Sequence, residues 1–79
     1  MINKTKYHKE HKCTVTEVIE NGKSHISFVY DNGNKIEYKF KDPRDTLHFI
    51  TKNWRNLETI ELVILFDIVQ YGSTLRIFT

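Results

Sequence analysis

The sequence predicts an α+β domain in which a five-stranded antiparallel sheet, in the order β-β-β-α-β-β, carries one helix on one face. Three features predict it: two alternating runs joined by Asn21-Gly22, a helix start at Asp42-Pro43, and a closing apolar run that ends at Gly72-Ser73. Seventy-nine residues leave room for one core only, and a 39% hydrophobic, 13% aromatic composition is enough to build it.

Residues 1–11 are polar and basic, with no clean period, and read as a basic N-terminal arm or a frayed edge segment. Residues 12–79 form the domain. Its first unit, KCTVTEVIE-NG-KSHISFVYD, is a hairpin, because Asn-Gly adopts positive φ at both turn positions at little cost. A two-residue loop sets Glu20 opposite Lys23, Val15 opposite Phe28 and Cys13 opposite Tyr30. Cys13, Val15, Ile19, Ile26, Phe28 and Tyr30 then share one face.

The next turn leads into KIEYKFK. For Ile36, Tyr38 and Phe40 to join the same face, Tyr30 pairs with Ile36 and Asp31 with Lys35 around a loop of Asn32, Gly33 and Asn34. Asp42 as N-cap, Pro43 in the first turn and Asp45 three residues beyond the cap open a helix. Its buried stripe is Leu47, Ile50, Trp54 and Leu57, with Arg44, His48, Lys52 and Arg55 toward solvent. ELVILFDIVQY and TLRIFT close the chain as a second hairpin around Gly72-Ser73, pairing Ile68 with Ile77 and Gln70 with Leu75. The alternative arrangement of the same elements is a small curled barrel capped by the helix, with the strand–helix order of OB-folds. The open sheet is preferred because a four-residue stripe suits a lid over a whole sheet face.

The face away from the helix is polar on the first three strands. The fourth strand is apolar on both sides from Leu62 to Phe66, and such a strand is normally covered twice. Either the N-terminal arm or barrel curvature covers Val63, Leu65 and Phe78, or they form, with Val29, the candidate partner-binding strip. A second candidate surface is basic: Lys39, Lys41 and Arg76, with Lys9 of the arm and Lys12 just after it, could track a phosphate backbone.

Chemistry has little support. His8, Glu10, His11 and Cys13 match no zinc spacing, and a core-facing Cys13 cannot join the others, so no metal is expected. Tyr38 and Phe40 interleave with Lys39 and Lys41, but a period of two sends rings and charges to opposite faces, which weakens a stacking role. No nucleophile has a base at a meaningful spacing. Each glycine is used by a turn, and a small filled core leaves little room for a pocket of several hundred Å3.

No cofactor and no enzymatic activity are expected. One cysteine, no apolar span and no apolar leader point to the cytoplasm, away from any membrane. The absence of alanine and the wealth of Ile, Asn and Lys bear the mark of an AT-rich genome. The first functional expectation is a protein-binding regulator or inhibitor of a larger host protein, of the kind phages and mobile elements carry. It would act by occlusion or as a homodimer. The alternative is a nucleic-acid-binding module using the basic sheet face and the arm.

Overall fold

A computed structural model describes residues 2–21 and 23–71. Four strands, β1 (Ile2–His8), β2 (Cys13–Glu20), β3 (Lys23–Tyr30) and β4 (Lys35–Phe40), form one antiparallel sheet in that spatial order. Two helices, α1 (Pro43–Asn53) and α2 (Thr59–Tyr71), pack on one face of it. The domain is α+β with an antiparallel sheet, as expected, but among the described residues the order is four strands followed by two helices rather than the expected β-β-β-α-β-β.

The β2–β3 register agrees with the sequence reading at each named pair: Glu20 faces Lys23, Val15 faces Phe28 and Cys13 faces Tyr30. Asn21 supplies the left-handed turn residue, at φ 55. The β3–β4 register is displaced by two residues. Phe28 faces Ile36, Val29 faces Lys35, and the Tyr30 N–H donates to the Asn34 carbonyl at 2.8 Å. The loop is therefore Asp31-Asn32-Gly33, because the chain places its glycine, at φ 95, at the last loop position, where a left-handed residue closes this type of turn. A slip of two preserves side-chain direction, so Ile36, Tyr38 and Phe40 still face the core. The expected Asp31–Lys35 pairing gives way to a hydrogen bond from the Tyr7 hydroxyl to Asp31, at 2.7 Å.

Most of the expected arm is an edge strand. Residues 2–8 pair with β2 along their whole length, and residues 9–11 form a 3-10 turn. The alternation is hidden in the sequence because Lys4, Lys6 and His8 occupy the core-side positions. Glu17 explains that choice, for it is completely buried and Lys4 lies directly across from it, with Lys6 on the diagonal. Lysine stems can cover apolar surface while their ammonium groups stay wet, and lysines along an edge discourage further strand pairing.

Asp42 caps α1 as expected, its Oδ1 accepting from the Asp45 N–H at 2.9 Å. The buried face of α1 is rotated from the expected stripe. Thr46 and Ile50 are buried and Phe49 is partly so, while Leu47 and Trp54 are 46% and 53% exposed. Phe49 decides the rotation: its ring lies 4.9 Å from Tyr38 and 5.6 Å from Phe40, completing an aromatic cluster that also includes Phe28. Such pairs add about 0.5–1.5 kcal/mol each beyond area burial.

The largest correction concerns residues 61–71, which are helical rather than a fourth core strand. In α2 the buried positions are Ile60, Glu61, Ile64, Leu65, Asp67 and Ile68, an arc at helical spacing. The run is apolar on nearly every side, so periodicity does not distinguish a buried helix from a buried strand there. Ile68 and Gln70 are helical rather than extended, and their expected partners Ile77 and Leu75 lie outside the described residues.

Candidate functional site

Three places on this scaffold carry polar or apolar groups that the fold does not consume trivially. The first is internal. Glu61 sits in the first turn of α2, only 1% exposed, and both its carboxylate oxygens are used. Oε2 accepts from the Tyr30 hydroxyl at 2.5 Å and Oε1 from the Tyr38 hydroxyl at 2.8 Å. The arrangement ties α2 to β3 and β4 at once. A buried carboxylate is tolerated because two donors replace its lost water.

Burial, and then the bond to Glu61, push both phenols well above their ordinary value of 10.0. A raised folded-state pKa favours the folded protein while the unfolded chain keeps its phenols protonated, and that advantage is lost as pH climbs past the unfolded value. Unfolding is therefore expected to become easier above about pH 10. The slope should reach roughly 1.4 kcal/mol per pH unit for each tyrosine involved. Urea midpoints between pH 8 and 11 check this, and Tyr30→Phe and Tyr38→Phe should each flatten the dependence.

The second place is a groove of about 470 Å3 at one end of the sheet, between the β2–β3 turn and the β4–α1 connection. Little room is expected for one in so small a chain with a filled core, and the groove opens between elements rather than inside the core. Lys23, Lys39 and Lys41 line it, with Glu20, His25 and Asp45. Asp45 is engaged, its Oδ2 accepting from the Lys41 N–H at 3.1 Å, and the nearby Glu37 is held by Lys35 and His25 at 2.7 and 3.2 Å. None of the three lysines forms an ion pair among the described residues.

Of the basic residues singled out in the sequence, Lys39 and Lys41 meet here. Lys9 and Lys12 do not, for they adjoin the start of β2, at the opposite end of the strands. At about 3.3 Å per residue the two lysine pairs are on the order of 20 Å apart. Arg76 lies outside the described residues.

The third place is the outward side of the helix pair. Val63 and Phe66, three residues apart on α2, are 43% and 49% exposed. Leu47 and Trp54, seven apart, do the same on α1 and the 3-10 turn (Trp54–Asn56) that follows it, where the Arg55 guanidinium lies 5.2 Å from the Trp54 ring centre.

The strip expected on a strand is taken apart by this geometry. Val63 and Leu65 lie on different sides of a helix, and Leu65 is buried in the core. Val29 is exposed on the far face of the sheet, on the row between Thr14 and Lys35, while Phe78 lies outside the described residues. Phe66, Leu47 and Trp54 were missed as surface groups. Phe66 follows from Val63 once α2 is read at helical spacing, and the charge of Glu61 at the head of an apolar run is the signal for that spacing.

His8, Glu10, His11 and Cys13 do not converge. Among the described residues no three of His, Cys, Asp and Glu come together as metal ligands. Cys13 is buried beneath the helices, where burial, followed by the charge of Glu61, pushes its thiol up and makes it a poor nucleophile. No helix among the described residues is long and apolar enough to cross a membrane.

Among the described residues the architecture is a four-stranded antiparallel sheet with two packed helices on one face and its other face wet. No family model, curated protein or solved structure matches the chain.

Proposed function

We propose that this chain is a small non-enzymatic protein-binding module, a regulator or inhibitor that works by covering part of a larger host protein. The observation that carries the reading is the outward side of α2. A helix apolar almost all round is ordinarily buried all round, yet Val63 and Phe66 stand open to water. Single exposed apolar side chains are common and need no explanation. Two adjacent on one helix, with Leu47 and Trp54 also exposed on the other helix segment over the same sheet face, make a surface worth covering. The other sheet face offers less apolar surface, and its Thr5–Thr16, Tyr7–Asp31 and His25–Glu37 contacts engage polar groups with one another.

The test is capture from a host lysate with three baits: the natural chain, a Val63→Glu/Phe66→Glu variant and a Lys39→Gln/Lys41→Gln variant. A discrete protein held by the first and third baits and lost from the second supports the proposal. Equal capture by all three, or no capture by any, contradicts it.

A second reading has its own observation, the three lysines without ion pairs around the groove. It predicts a gel shift with single- or double-stranded nucleic acid that fades steeply with salt and disappears in the lysine variant. Without a shift at low salt, this reading fails.

A further inference from the structure

We infer that the outward side of the helix pair docks an acidic amphipathic helix of another protein. The inference rests on the protein-binding reading above and adds the chemistry of the partner.

Charge is the first argument. Arg44, Lys52 and Arg55 are exposed on α1 and its following turn, and none is ion-paired among the described residues. The acids that could neutralise them are committed elsewhere. Asp42 and Asp45 accept backbone N–H groups at the start of α1, and Glu61 and Asp67 are buried. Glu58 is the one exposed carboxylate between Asp45 and Tyr71. The result is that α1 and its following turn expose apolar Leu47 and Trp54 alongside cations without ion pairs, which favours a partner of opposite charge.

Geometry is the second argument. Leu47 and Trp54 recur at seven residues, and Val63 and Phe66 at three, so both helices present apolar ridges. Ridges on packed helices mate with the i, i+3, i+4, i+7 anchors of a third helix. An extended peptide would need an open sheet edge instead. Here both edge strands carry lysines that discourage pairing: Lys4 and Lys6 on β1, Lys35 and Lys39 on β4. A phosphate backbone would use the cations and gain nothing from Leu47 or Val63.

Trp54 is the only tryptophan of the chain and lies on this surface, so its emission reports binding directly. The probe is a synthetic peptide of about 16 residues, long enough to form a helix on binding, with leucines on one face and glutamates elsewhere. Controls are a scrambled isomer without the stripe, phosphatidylserine-containing vesicles and a single-stranded oligonucleotide.

The expected result is a blue shift of Trp54 with the striped peptide, at least roughly tenfold weaker binding of the scrambled isomer, and only modest weakening with salt. Phe66→Ser and Arg44→Gln/Arg55→Gln should each weaken the complex, with the circular dichroism of the free protein unchanged. Equal binding of both peptides, no binding of either, or a shift with vesicles or oligonucleotide alone would overturn the inference. If lysate capture depends on Val63 and Phe66 while the striped peptide fails, the protein-binding reading stands and only the acidic-helix partner falls.

Discussion

Replacing Glu61 with alanine is expected to cost about 3–5 kcal/mol of folding stability, a large share of what a domain this size has. The change removes a side chain that is 1% exposed, leaving a cavity and two phenolic hydroxyls, those of Tyr30 and Tyr38, without their acceptor. A chain of 79 residues has only about 4–12 kcal/mol to lose, at 0.05–0.15 kcal/mol per residue. Glu61→Gln keeps the volume and one acceptor, so its loss should be smaller. Tyr30→Phe and Tyr38→Phe should cost about 1.5–3 kcal/mol each, the usual range for a hydrogen bond to a charged group. The double phenylalanine variant should exceed their sum, because it strands a buried carboxylate with no donor. Urea titrations of the five proteins check the order.

The second large effect contrasts two positions that a strand would place on the same side. Leu65→Asp puts a carboxylate into the core beneath α2, one helical turn from the buried Glu61, and should abolish cooperative folding. Val63→Asp leaves the carboxylate in water and should change stability by no more than about 0.5 kcal/mol. Thermal unfolding of the two variants, side by side, reads the difference. Comparable damage from both would mean that residues 61–71 alternate rather than coil.

The first hairpin was legible because Asn21-Gly22 fixes a loop length, and loop length fixes which residue faces which. The second was legible in face and not in register: the sequence pattern constrains side-chain direction modulo two, and only the position of Gly33 in the turn decides between registers two residues apart. The start of α1 was carried by local chemistry at Asp42, Pro43 and Asp45, which acts within one turn. Its buried face was not, because Phe49 is drawn in by Tyr38 and Phe40 from a distant strand.

For α2, rich in β-branched residues, strand propensity pointed the wrong way. Packing against the sheet overrides a preference worth only a few tenths of a kcal/mol per residue. The strand β1 was obscured for a related reason: its inward lysines answer a buried Glu17 that is remote in sequence. The candidate surface inherited these errors and survives in part. Val63 keeps its exposure, Leu65 loses it, and Phe66 takes the place beside Val63.

Everything proposed for this chain depends on α2 turning Glu61 and Leu65 inward and Val63 and Phe66 outward. Side-chain NMR with a neutral, soluble paramagnetic chelate measures that division directly. The Val63 methyl and Phe66 ring signals should broaden strongly, while the Leu65 methyls and Glu61 methylene stay sharp. Matching broadening at Val63 and Leu65, with Phe66 protected, would contradict the helix and remove the surface built on it.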